Sequence, residues 1–189
     1  MPLQNLHNKL FRFFEKIVSK SWILTKLYVS FFEEMTIKEF SAVPLGEGAK
    51  VLVIGCGSIP NTVITIAKSF PWNVVGIDRD PRAVEKARRI VKRYKLENVK
   101  IMEADGKDFD VKGYDLIVVA LGVEPKNDVI KRISKEVKEG CYIVCRTSEP
   151  LSKLYGKEGL GFDGLNLCSR YRRADFLESI LLVKGGKAR

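Results

Sequence analysis

Residues 51–78 read VLVIGCGSIPNTVITIAKSFPWNVVGID, and no other stretch constrains the fold of this chain as strongly. A run of apolar, mostly β-branched residues, Val51 to Ile54, breaks into Gly55-Cys56-Gly57-Ser58. A helical pattern follows, then a second apolar run that ends on an acid, Asp78. The pattern is strand, tight glycine loop, helix, and strand with a carboxylate at its tip. Such a unit holds a nucleoside, because loop glycines let the backbone approach the ligand and the acid accepts hydrogen bonds from ribose hydroxyls. Arg79, next to that acid, falls within the same reach.

The rest of the chain repeats this grammar. Apolar strands are expected at Val51–Ile54, Val74–Ile77, Val99–Glu103, Tyr114–Ala120 and Cys141–Arg146. Helices are expected between them near Asn61–Ser69, Pro81–Tyr94 and Asn127–Val137, with Asp80 and Pro81 forming an N-cap signal. Buried strands alternating with helices specify an α/β protein with a parallel sheet covered on both faces. Leu165–Arg173 and Phe176–Lys184 have no helix between them, so they are expected to close the sheet as an antiparallel hairpin. Arg170, Arg172 and Arg173 on that hairpin read as a solvated edge that discourages strand pairing.

Ahead of the turn Pro44-Leu45-Gly46-Glu47-Gly48, residues 3–40 carry Leu6, Leu10, Phe13, Phe14, Ile17, Val18, Ile23, Leu24, Leu27, Tyr28, Phe31 and Phe32 at helical spacing. One or two amphipathic helices are expected there, packing on the main domain or joining two copies as a homodimer. Glu15, Glu33, Glu34 and Glu39 dilute the basic face a membrane-surface helix would need. No apolar run approaches the ~20 residues of a membrane span, and no signal peptide is evident. A cytoplasmic protein is expected.

The four cysteines, Cys56, Cys141, Cys145 and Cys168, form no C-x-x-C pair, and His7 is the one histidine, so no metal site is expected. Cys141 and Cys145 read as small core residues. The net charge of +10 favours an anionic partner, RNA among them. Abundant Lys, Arg and Glu with few Gln also resembles the composition of heat-adapted proteins.

The acids decide which nucleoside. The third small residue of a dinucleotide fingerprint would fall at Pro60, which disfavours nicotinamide and flavin. Asp105, in Glu103-Ala104-Asp105-Gly106, follows the third strand, where a carboxylate can accept from an exocyclic adenine amine. Glycine loop, ribose acid and adenine acid at three successive strand ends make an adenosine pocket. In this the chain resembles the class I S-adenosylmethionine (SAM) methyltransferases over residues 48–184. The resemblance implies a Rossmann-like class I methyltransferase fold. Its seven-stranded sheet is mostly parallel with an antiparallel C-terminal hairpin, preceded by the N-terminal amphipathic helices. It divides the chain into a helical segment, 1–45, and a SAM-binding domain, 46–189. The residues matching its cofactor loops are Gly55, Cys56, Gly57, Ser58, Asp78, Arg79, Asp105, Gly106, Ala120 and Leu121.

A narrower resemblance lies on the same segments. Gly55-x-Gly57-x-x-Pro60-x-Thr62 is similar to the glycine loop of nicotianamine synthases. Ala120-Leu121-Gly122-Val123-Glu124-Pro125-Lys126 resembles a stretch of their archaeal members, as do Arg146-Thr147 and Leu154-Tyr155. Those enzymes have a larger helical N-terminal domain, whereas about 45 residues precede the core here.

A SAM-dependent transferase acting on a small-molecule acceptor is therefore expected, by methyl transfer or by aminocarboxypropyl transfer of the nicotianamine-synthase kind. Glu124 is a candidate to accept a proton from an amine nucleophile or to bind a cationic one. Arg146 is a candidate carboxylate clamp or a structural ion pair. Tyr28 is a candidate to close over the cofactor. The strand-four stretch lacks the Asn/Asp-Pro-Pro-aromatic run used to methylate planar amines. An RNA methyltransferase and a non-catalytic SAM-binding subunit are the alternatives.

Overall fold

The computed structural model describes residues 18, 21–148, 164–175 and 177–185. The part of the helical stretch expected over residues 3–40 that precedes residue 18, and the Leu154-Tyr155 pair, lie outside the described residues.

Helix α1 spans Trp22–Ser41, capped by Ser21, whose hydroxyl accepts from Leu24 N at 3.4 Å. Strand β1 (Lys50–Ile54), helix α2 (Asn61–Ser69), strand β2 (Asn73–Asp78), helix α3 (Pro81–Tyr94) and strand β3 (Val99–Glu103) follow. Strand β4 (Leu116–Val119), helix α4 (Lys126–Glu136) and strand β5 (Tyr142–Ser148) complete the alternation, and strands β6 (Leu165–Arg172) and β7 (Leu177–Lys184) end it. The elements expected within the described residues are present. The fourth strand is shorter than its apolar pattern suggested, and the hairpin's second strand starts at Leu177.

The sheet has seven strands in the order β3-β2-β1-β4-β5-β7-β6. Strands β1 to β5 are parallel, while β7 pairs antiparallel with both β5 and β6. The hairpin therefore inserts its second strand against β5 and leaves β6 at the edge.

Period-two alternation divides the core into two layers. Val51 and Val53 of β1 face one side with Tyr28, Val29 and Phe40 of α1, Val63 of α2, and Val84, Ala87 and Ile90 of α3. Leu52 and Ile54 face the other side with Ile117 and Val119 of β4, Val129, Ile130 and Ile133 of α4, and Leu182 of β7. All four residues of β4 are buried, as a strand covered on both faces requires. Cys141 and Cys145 are core residues, as expected.

Helix α1 packs on α2, buries Thr25, Tyr28, Val29, Thr36, Glu39 and Phe40, and leaves Ile23, Leu27 and Phe31 exposed along its other side. An acid on the buried face of that helix was not foreseen. Among the described residues no helix is long and apolar enough to cross a membrane.

Candidate functional site

The direction of chain progression across the sheet reverses between β1 and β4, and a crevice opens above the C-terminal ends of such strands. Here it is a cleft of about 260 Å3. Gly55, at φ 78°, and Gly57, at φ 72°, make the turn after β1 in a region of backbone space that side chains disfavour. A Cβ on Gly55 would lie 2.8 Å from Val123 Cγ2, so the glycine also lets the β1 loop meet the segment after β4. Gly55 N and Cys56 N both donate to Ile77 O, at 2.9 and 3.0 Å, pinning the loop to the end of β2.

Asp78 braces this turn. Its Oδ2 accepts from Gly57 N at 2.9 Å and its Oδ1 from Asp80 N at 3.0 Å. A carboxylate has about four lone-pair positions, so acceptor capacity remains for a ligand's hydroxyls. The helix cap is Asp80, which accepts from Arg82 N at 2.9 Å. Asp105 Oδ1 accepts from Lys107 N at 2.9 Å in a turn after β3, and its other oxygen is available to the cleft.

Every residue expected at the site lines this one cleft. Gly55, Cys56, Gly57 and Ser58 form one rim, and Asp78, Arg79, Asp105 and Gly106 the next. Ala120, Leu121 and Glu124 stand opposite, Arg146 lies at its floor, and Tyr28 with Phe32 reaches it from α1. The two aromatic rings are 4.8 Å apart, giving an apolar wall above polar strand ends. Arg79 Nη1 donates to Glu124 O at 3.2 Å, tying the second strand's tip to the segment after β4.

The floor holds residues the sequence did not flag. Glu39 accepts from Arg146 Nε at 2.9 Å and Nη2 at 2.6 Å, from Arg173 Nη1 at 2.6 Å, and from the Ser179 hydroxyl. Arg146 Nη1 donates to Thr62 Oγ1 at 2.7 Å, and its guanidinium lies 5.7 Å from the Phe40 ring centroid. Burial pushes the Glu39 carboxyl up, but the two guanidiniums outweigh it and hold the group below the ordinary range. Arg173 is 4 % exposed and also grips Asp175, with Nη2 to Oδ2 at 2.8 Å. The solvated edge expected for the hairpin arginines thus holds for Arg170 and Arg172, which are exposed, but not for Arg173.

Sequence signals for this cluster existed. Tyr28, Phe32, Thr36 and Glu39 recur at i+4 and i+3 spacing, which places Glu39 on the core-facing stripe. Arg146 forms a bidentate pair with an acid, and that acid comes from the protein itself.

Lys126 completes the floor. Its Nζ donates to Ala120 O at 3.0 Å, to Leu121 O at 3.1 Å and to Arg146 O. Three scattered segments, Thr62, Arg146 and Lys126, are therefore physically one network beneath the cleft. No group of three His, Cys, Asp or Glu is placed to hold a metal among the described residues.

A glycine turn with carboxylates after β2 and β3, in a seven-stranded sheet ending in a reversed hairpin, defines a class I methyltransferase fold. The family described as "Methyltransferase domain" matches residues 45–159, and the chain belongs to it. The chain is 25 % identical over 128 residues to the L-histidine 2-aminobutanoyltransferase of Yersinia pestis, covering 68 % of this chain and 48 % of that protein. It is 31 % identical over 118 residues to a probable cobalt-precorrin-6B C(15)-methyltransferase (decarboxylating) of Sulfolobus acidocaldarius, covering 59 % of this chain and 60 % of that one. The match thus spans about half to three fifths of each sequence relative. A variant of the nicotianamine synthase MtNAS, solved in complex with S-adenosylmethionine, superposes with a TM-score of 0.75 at 22 % identity, over 95 % of this chain and 74 % of that chain. The core is nicotianamine-synthase-like in fold, and the cofactor of the family is SAM. The cleft fits that cofactor: the turn gives close backbone approach, and two carboxylates with spare acceptor capacity stand at successive strand ends.

Proposed function

We propose that this protein is a SAM-dependent transferase whose acceptor is a small molecule presenting an amine. The observation that supports it is the sign of charge in the cleft. Its lining carries five carboxylates, Asp78, Asp80, Asp105, Glu124 and Asp175, against three guanidiniums, Arg79, Arg146 and Arg173. Arg146 and Arg173 are already engaged by Glu39 and Asp175. With those arginines and Asp175 set aside, the carboxylates of the lining still outnumber its guanidiniums, in a chain whose overall charge is +10. An acidic cleft suits a cationic sulfonium and an amine, and it repels phosphate. The acidic lining is what favours an amine over RNA as the acceptor, even though the chain as a whole is basic.

Bound SAM supplies an electrophilic carbon on a good leaving group, so the protein's work is positioning and electrostatics. Asp78 and Asp105 hold ribose and adenine, while the Gly55–Gly57 turn admits the ligand against the backbone. Tyr28 and Phe32 exclude water from above. Glu124, on the segment after β4, takes the acceptor's proton or pairs with its ammonium. The aminobutanoyl chemistry in the name of the Yersinia relative and the nicotianamine-synthase-like core both favour the aminocarboxypropyl branch.

Incubating the protein with SAM and a panel of amino acids and polyamines tests this reading. Methylthioadenosine as the nucleoside product marks aminocarboxypropyl transfer, and S-adenosylhomocysteine marks methyl transfer. Turnover with RNA and none with any amine would overturn it. SAM binding without either product would favour a binding subunit instead.

A further inference from the structure

Lys126 opens α4 and is 9 % exposed, yet its ammonium makes no hydrogen bond to a carboxylate among the described residues. Its three N–H groups meet three backbone carbonyls: Ala120 and Leu121, just after β4, and Arg146, within β5. An ammonium has three donors and no acceptor, so this side chain is fully committed. It has no proton to give a substrate and no lone pair to attack with. Burying it costs free energy that a leucine or methionine would not incur, and neither of those would tie the three carbonyls together.

What it ties is the cleft wall. Ala120, Leu121, Gly122, Val123 and Glu124 all line the cleft. Ala120 O accepts both from Lys126 and from Val123 N, the latter at 3.3 Å. We infer that Lys126 is a positioning residue: it fixes the Ala120–Glu124 strap to the end of β5, so that Leu121 and Glu124 face the cleft in one geometry. This rests on the cleft being the SAM site.

The inference has a pH signature. The groups facing Lys126 are the Cys145 thiol and Arg146 of β5 and the Glu124 carboxylate of the strap. Burial drives the ammonium's pKa down, Cys145 and Glu124 push it back up, and Arg146 lowers it, with a net fall below the ordinary lysine range. Loss of one proton removes one of the three bonds. The strap therefore loosens as pH rises, earlier than the ordinary lysine value of about 10.4.

The test uses wild type, Lys126→Met and Lys126→Arg, each checked for folding by circular dichroism and melting temperature. Calorimetric titration with SAM from pH 7 to 10 should show wild-type affinity falling as pH rises. Lys126→Met should bind at least ten-fold more weakly at pH 7, with a shallower pH dependence than wild type, and Lys126→Arg should recover part of the loss. Wild-type-like affinity and pH profile in Lys126→Met would overturn the inference. If Lys126→Met does not fold, Lys126→Gln takes its place, and wild-type-like SAM affinity in that variant would overturn the inference. Hydrogen exchange at the Val123 amide, with no ligand present, separates this claim from the SAM reading. Faster exchange in the folded variant supports the positioning role even if SAM does not bind, and unchanged exchange refutes it.

Discussion

Replacing Glu39 by alanine isolates the cluster beneath the cleft. The wild-type carboxylate is 1 % exposed and accepts four hydrogen bonds, three of them from guanidiniums. After truncation Arg173 keeps Asp175, but Arg146 keeps only the Thr62 hydroxyl as a side-chain hydrogen-bond partner. A buried guanidinium is then left without a counter-charge, a loss of about 3–5 kcal/mol in comparable cases. Against a total stability of ~5–15 kcal/mol, that is a large share. For a chain of this length it corresponds to a melting-temperature drop of roughly 6–20 °C. Urea unfolding followed by circular dichroism measures it, with Glu39→Gln as the shape-preserving control. The account also fixes a sign in pH. Glu39 is held below its unfolded value of about 4.3, so its contribution is complete above that pH and is lost as pH falls through the lower folded value. The acid limb of wild-type stability should therefore be steeper than that of Glu39→Ala. A variant within about 1 kcal/mol of wild type, with a superimposable acid limb, would refute the reasoning.

Two other outcomes follow from the same structure. Gly55→Ala forces a side chain into φ 78° and against Val123 Cγ2, and should lose about 1–3 kcal/mol of stability together with cleft affinity, read by thermal melts with and without SAM. Burial pushes the Cys141 thiol up to about 12, so alkylation followed by mass spectrometry near pH 8 should mark Cys168 in the folded protein and reach Cys141 only on unfolding.

The sheet, and the glycine turn and strand-end acids that line the cleft, were legible because their signals are local. A glycine turn, an acid at a strand tip and a run of buried β-branched residues each declare themselves within a few positions. The Glu39 cluster of the floor was not legible, because the bonds that join Glu39 to Arg146, Arg173 and Ser179, and Arg146 to Thr62, link residues 84 to 140 positions apart. Glu39 read as one of several acids on an amphipathic helix, and only its bonds to Arg146 of β5 and Arg173 after β6 show that it neutralises two arginines. Arg173 read as a solvated edge because it follows Arg170 and Arg172 along the hairpin. The chain turns inward one residue after β6 ends, and Arg173 goes with it. Thr62, Arg146 and Lys126 matched a family pattern one by one, and the structure supplies the reason they occur together.

The central claim is that the turn after β1 and the acids after β2 and β3 hold SAM. Calorimetric titration of wild type and Asp78→Ala with SAM, with both proteins shown to be folded, tests it most directly. The account predicts saturable one-site binding to wild type and a loss of about 1–3 kcal/mol, roughly 5- to 150-fold in affinity, in the variant. No binding to wild type, or equal affinity in the two proteins, would contradict it.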